Sequence, residues 1–423
     1  MSIMKTLMGA SLLAISAASA SAEDIAITGG IAFTNGGKGK VENATVLIHD
    51  GKIQSVTAGG EVPAGYRSVD ASGKWVTVGL MAAGTNLGLM DVGLSGNIND
   101  ARASDAKNGI GLEVSYAFNP DTTIIPNTRI EGVTRAVTGF SASKDMWRGQ
   151  SAVIALAGDD MIVREHAVLS IDMDEGAASS NGGSRAALWD SVITKLEESR
   201  PNGDDEGDKK DDDKKDKKPK YDSAKAALDR LFAGEIPLLV EVERKADILN
   251  VIKLKERFGI EVVITAGGEA WMVAEELAAA KIPVVIDPIR NLPEDFDTLG
   301  QTGAAAGRLA AAGVKVAFLA PDTHNTRLVA QSAGNAVAMG MSWEDAMDAL
   351  TVNAADIFGV ADSYGTLEAG KDADVVVWTG DPLELMTTAD AVFIRGEEVP
   401  MVSRQTKLRD RYMDLPRSPA YVK

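Results

Sequence analysis

The middle of this chain alternates strand-like and helix-like runs, and that alternation limits its fold more than any other feature. "GVTRAVTGF" and "QSAVIALAG" read as buried strands. "EIPLLVEVE" precedes the helical "RKADILNVIKLKERFG", "IEVVITAGG" precedes "EAWMVAEELAAAK", and "IPVVIDPI" precedes "TGAAAGRLAAAG" and then "VKVAFLAPD". Repeated strand–helix units imply a parallel sheet. Their number, in a chain of 423 residues, favours an α/β (β/α)8 TIM-like barrel over an open doubly wound sheet. No glycine-rich phosphate loop follows any of these strands, which argues against nucleotide binding.

The two ends have a different texture. "IAITGG", "ATVLIHDGKIQSVTAGG" and "RSVDASGKWVTV" alternate apolar and polar residues, with Asp50-Gly51 as a hairpin signal. "GTLEAGKDADVVVWTGD" and "ADAVFIRGEEV" repeat that style near the C-terminus. The expectation is one composite β-sandwich formed by residues 23–77 and 359–402, with a barrel over 78–358 inserted and a tail at 403–423.

Residues 1–22 read as a secretory signal peptide. Lys5 supplies the positive start, a short apolar stretch follows, and Ala20-Ser21-Ala22 forms the cleavage site. That stretch is too short to span a bilayer, so an exported chain, periplasmic or extracellular, with no membrane span after cleavage is expected. Residues 199–220 carry dense charge of both signs and almost no apolar side chain. A solvated, disordered insertion between two helices is expected there. The net charge of -18 argues against a nucleic-acid partner. The chain has no cysteine, which excludes disulfides and thiolate chemistry.

Several of these stretches resemble a known family. "TVLIHDGKIQSVTAGGEVPAGYRSVDASGKWVTVGLM", "PLLVEVERKADILNVIKLKERFGIEVVITAGGEAW", "LTVNAADIFGV" and "YGTLEAGKDADVVVWTGDPLE" resemble the amidohydrolase superfamily, near its imidazolonepropionase-like branch. The resemblance covers nearly all of the mature chain. It implies a TIM barrel with an appended β-sandwich. It also implies hydrolysis of carbon–nitrogen bonds other than peptide bonds by a metal-bound hydroxide, with zinc as the family default. Such a metal lowers the pKa of bound water and polarises the scissile carbonyl. Its ligands must project from several strand ends into one pocket.

Compared with that pattern, the residues here depart at nearly every ligand position. The family's Pro-Gly-Leu-Ile-Asp-x-His-x-His falls on residues 78–86, which puts Gly84 and Asn86 where histidines would stand. A lysine or glutamate after an "AVI" run falls at Ala155, and a His-x-His-Arg falls on Glu241, Val242, Glu243 and Arg244. The next strand's histidine falls at Ala266, and the final aspartate at Pro321 or Asp322. No metal cofactor is expected from such a set.

Only three histidines occur: His49, His166 and His324. His49 beside a turn and His166 without a placed partner read as structural. His324 and Asp322 follow the last barrel strand and are either chemical groups or loop-capping ones. Glu241 and Glu243, at i and i+2, share a strand face. Either they meet in the pocket as an acid/base pair, or Arg244, Lys245 or another base neutralises them. A carboxylate-only site would suit magnesium or calcium better than zinc. Arg129 and Arg148 are either contacts for an acidic substrate group or ion-paired surface residues.

Three functions follow from this reading. The first is a superfamily member that has lost metal-dependent catalysis and whose barrel serves as a binding or partner-docking scaffold. The second is a hydrolase rebuilt on Asp322, His324, Glu241 and Glu243. The third is an interaction protein, homo-oligomeric or complexed with a related amidohydrolase.

Overall fold

The computed structural model describes residues 23–35, 39–91, 99–106, 108–201, 221–321 and 323–413. The expected signal peptide, most of the charged insertion, the end of the tail and Asp322 lie outside the described residues.

Five strands come first: β1 (Ile25–Phe33), β2 (Lys40–His49), β3 (Lys52–Ala58), β4 (Arg67–Asp70) and β5 (Trp75–Val78). The Asp50-Gly51 turn joins β2 to β3 antiparallel, with His49 opposite Lys52. The middle contributes β6 (Leu80–Thr85), the short β7 (Arg102–Ala103), β8 (Val133–Thr138), the short β9 (Ala142–Ser143), β10 (Trp147–Ala155) and β11 (Ile162–Asp172). It continues with β12 (Leu238–Val242), β13 (Val262–Ala266), β14 (Val284–Ile286) and β15 (Val316–Phe318). The chain ends with β16 (Val375–Trp378), β17 (Ala389–Ile394), β18 (Glu397–Glu398) and a helix, Arg404–Met413.

Both ends enter one mixed sheet, in the order β18-β17-β16-β5-β1-β2-β3, with β4 also paired to β1. The seam is the antiparallel pair β5–β16, which sets Thr77 opposite Val376. Two segments about three hundred residues apart thus form one module. Eight of the middle strands run in the order β15-β14-β13-β12-β11-β10-β8-β6, and β7 pairs with β9. A bridge from Ala83 to Leu319 brings the two edges together, and the Ala320 amide donates to the Ala83 carbonyl at 2.8 Å. The sheet is therefore a near-closed barrel. β8 and β14 are buried along their whole length, as expected for strands covered on both faces.

The barrel departs from the expected all-parallel pattern at one strand. β10 runs antiparallel to both of its neighbours, β8 and β11. Only residues 156–161 separate β10 from β11. A parallel crossover needs a dozen or more residues, so this link is a hairpin. From β12 onward the expected units form. Helix Lys245–Phe258 follows β12, Ala274–Ala279 follows β13, Ala305–Ala311 follows β14, and Val329–Ala338 lies beyond β15.

A charged cluster joins the barrel floor to the sheet of the ends. Arg135 of β8 is fully buried. Its Nε donates to Asp374 Oδ2 at 2.7 Å and its Nη2 to Asp372 Oδ2 at 2.9 Å. The guanidinium also lies 5.3 Å from the centre of the Tyr364 ring, and the Tyr364 hydroxyl donates to the Gly79 carbonyl.

Candidate functional site

The parallel strands end at one mouth, where this barrel architecture places functional groups. Because β10 is reversed, it brings its first residues to that mouth, and Ala155, at its other end, lies on the barrel floor. The expectation that Ala155 marks a ligand position is thus overturned by strand direction.

A cavity of about 170 Å³ opens at the mouth, lined by Gly84, Asn86, Arg148, Glu241, Thr265 and Leu319 among others. A larger one of about 520 Å³ adjoins it and shares Glu241, Thr265 and Leu319. Eight acidic side chains and a single arginine, Arg290, are among the residues lining it. Such a lining favours neutral or cationic ligands over anionic ones.

The end of β6 holds the first pair of expected positions. Gly84 has φ +67°, a conformation that L side chains rarely adopt. A Cβ there would stand 2.4 Å from Leu319 Cδ1. Asn86 is committed elsewhere: its Nδ2 donates to the Gly139 carbonyl at 2.7 Å and its Oδ1 accepts from Thr323 Oγ1 at 3.4 Å. At the end of β13, Ala266 has φ +70°. The left-handed region costs a non-glycine residue about 1–2 kcal/mol, and glycine returns part of this as unfolded-state entropy. Ala266→Gly is therefore expected to stabilise the protein by about 0.5–1 kcal/mol, read from its urea midpoint. A destabilised variant would mean that the methyl group packs favourably.

Glu241 and Glu243 both reach the larger cavity. Each faces its own arginine. Arg148 Nη1 donates to Glu241 Oε2 at 2.5 Å, and Arg148 Nη2 donates to Asp172. Glu243 accepts from the Gly268 amide at 2.6 Å and from Arg290 Nη1 at 3.1 Å. Neither Arg244 nor Lys245 is the neutralising base; Arg244 pairs with Asp247 instead. Burial pushes the Glu243 carboxyl up to about 7, opposed by the Gly268 amide and Arg290 and aided by Glu241 and Asp295.

That shift predicts a pH dependence. Glu243 holds its proton more tightly folded than unfolded, where its ordinary value is 4.5. Its contribution to stability is fully present below that value and is lost as pH rises through about 7. The thermal midpoint of the wild type should fall across this window relative to Glu243→Gln. Parallel curves for the two proteins would refute the buried-carboxyl assignment.

The remaining expected residues disperse. His324 is exposed in the segment Thr323–Leu328 and lines neither mouth cavity. His49 pairs with Asp24 at 2.8 Å, and His166 Nδ1 lies 2.5 Å from Glu113 Oε2. Arg129 donates to the Leu156 carbonyl on the barrel floor. Sequence reasoning missed Asp172, Asp174, Arg290 and Leu319. The "SIDMDEG" stretch held a signal for the first two: an Asp-x-Asp closing an apolar run.

Known proteins resemble this one along most of its length. Residues 224–402 match the model of the amidohydrolase family. A solved amidohydrolase from Thermotoga maritima MSB8 shares 25% identity at a TM-score of 0.78, over 90% of this chain and 100% of that one. A prolidase solved with N-methylphosphonate-L-proline shares the fold, with a TM-score of 0.58 at 16% identity over 89% and 99% of the two chains. The amidohydrolase tasK of Hapsidospora irregularis is 27% identical over 175 residues, which is 34% of this chain and 18% of that protein. The near-closed eight-stranded barrel and the composite sheet form the fold seen in amidohydrolases. The chain is similar to the amidohydrolase family in sequence over residues 224–402, and to solved amidohydrolases in fold over about 90% of its length.

Proposed function

We propose that this chain is an exported, imidazolonepropionase-like member of the superfamily that has given up metal-dependent hydrolysis. Its barrel serves as a scaffold for a small neutral or cationic ligand or for a partner chain. The observation that carries this reading is the backbone at Gly84 and Ala266, two positions that resemblance assigns to ligating histidines: both lie in the left-handed region, at φ +67° and φ +70°. Gly84 has no side chain, and an L residue there would be strained. Asn86 is spent on a backbone carbonyl, and Ala266 has only a methyl group. Zinc favours imidazole or thiolate donors, and the mouth presents carboxylates that already face arginines. The residues present do not fit the family metal, so no hydrolytic step is derived through it.

The test is metal analysis of the mature protein purified from its native compartment without chelators, alongside a panel of amides and cyclic amides. Zinc well below one equivalent and no turnover are expected. One zinc per chain inside the barrel would overturn the reading. Export is checked by N-terminal sequencing, with Glu23 expected first.

One observation favours a second reading, a hydrolase working through carboxylates. A buried carboxyl near 7 suits general acid–base chemistry at neutral pH. That reading requires wild-type turnover of some amide in the panel, abolished by Glu243→Gln. Turnover that survives this change would remove its support.

A further inference from the structure

We propose that Arg148 is a built-in cation of the barrel mouth, seated where Asp172, Asp174 and Glu241 would otherwise gather a divalent metal ion. Removing its guanidinium uncovers a carboxylate site for such an ion. This inference rests on the reading that the native mouth holds no catalytic metal.

The backbone delivers Arg148 to this place. β10 is the reversed strand, so its second residue sits at the mouth rather than on the floor. The ladder between β10 and β11 breaks register between Trp147 and Gln150, the stretch that contains Arg148 and Gly149. Gly149 has φ +69°, and a Cβ there would meet Leu112 Cβ at 2.6 Å. A bulge of this kind re-aims the side chain it contains. The guanidinium then spans two strands, donating to Asp172 of β11 and to Glu241 of β12. Those two acids are register partners on adjacent parallel strands.

The acids form a ready donor set. One carboxylate oxygen from each of Asp172, Asp174 and Glu241 lies within 4.8 Å of the others. The Arg148 and Asp172 side chains are only 18% and 15% exposed, so solvent screens their charges weakly. Three ionised carboxylates this close repel strongly unless a cation lies among them. Arg148 is that cation, with a single positive charge and a planar fork that reaches two carboxylates at once. Asp174 also accepts from the Ala177 amide at 2.7 Å and caps helix Glu175–Ser180, which fixes its carboxylate at the rim. Oxygen-only donors suit magnesium, manganese or calcium.

The test uses the full mature chain with Mn2+ and Ca2+ as probes, read by calorimetry and, for Mn2+, by electron paramagnetic resonance. The wild type is expected to be metal-free as purified and to take up neither ion at about millimolar levels, the range of weak carboxylate sites. Arg148→Ala should bind one ion per chain, at least about tenfold more tightly than any wild-type uptake, a gain of one decade in affinity. Its thermal midpoint should fall without the ion and recover with it. Arg148→Gln keeps an uncharged hydrogen-bond donor on a shorter side chain, and should gain the same binding if the alanine variant folds poorly. Asp172→Asn in either background should abolish the gain. A metal-free wild type whose folded Arg148 variants take up no ion would overturn this inference alone. Stoichiometric metal in the wild-type mouth would overturn both this inference and the proposed function.

Discussion

Arg135→Met is expected to lower the free energy of unfolding by about 3–5 kcal/mol, the cost of leaving a buried charge without its partner. Arg135 and Asp374 are both wholly excluded from solvent, and their ion pair spans the junction between barrel and end sheet. Methionine fills much of the same volume but leaves the Asp374 carboxylate with only the Arg395 amide, at 2.9 Å, among the hydrogen bonds described here. Asp372 keeps its contact with Lys52 at 2.6 Å and is partly exposed, so most of the loss falls on Asp374. Asp374→Asn in the same chain should recover a large part of the loss, because the cost is the stranded charge and not the absent pair. Urea unfolding of the two single variants and the double variant gives the coupling directly. A single-variant loss below about 1 kcal/mol would show that the junction rests on apolar packing instead.

Gly84→Ala is expected to cost about 1–2 kcal/mol, from placing an L side chain at φ +67°. Its methyl group would meet only the tip of the Leu319 side chain, which borders the open cavity and can turn aside. A double-mutant cycle checks this: in a Leu319→Ala background the same change should cost a similar amount, about 1–2 kcal/mol. Strong coupling would mean instead that Leu319 is held in place and fills the position. The outcome bears on function, because a histidine restored at residue 84 would have to adopt the same left-handed backbone.

Much of the fold was legible because the signals are local. The Asp50-Gly51 turn needs nothing beyond its own residues, and the β12–β15 strands with their helices are written in apolar period and length. β11 was harder to read. Its first half, "IVREH", carries charged residues and a left-handed His166, so the alternation fails where a strand nonetheless forms. The candidate site was legible only as residue types. Glu241 and Glu243 stood out as paired acids, but nothing near them named Arg148 or Arg290 as their partners. Arg148 lies 93 residues from Glu241 and 24 from Asp172.

The sequence by itself determined most of the elements, the turn chemistry, the superfamily resemblance and the absence of histidine at Gly84, Asn86 and Ala266. These are properties of single residues and short windows. Only the tertiary structure decided the direction of β10, the seating of Leu319 over Gly84 and the bridging of Asp172 and Glu241 by one guanidinium. Each of these depends on where barrel closure places a distant strand end, and the local preferences of the backbone carry no record of that placement.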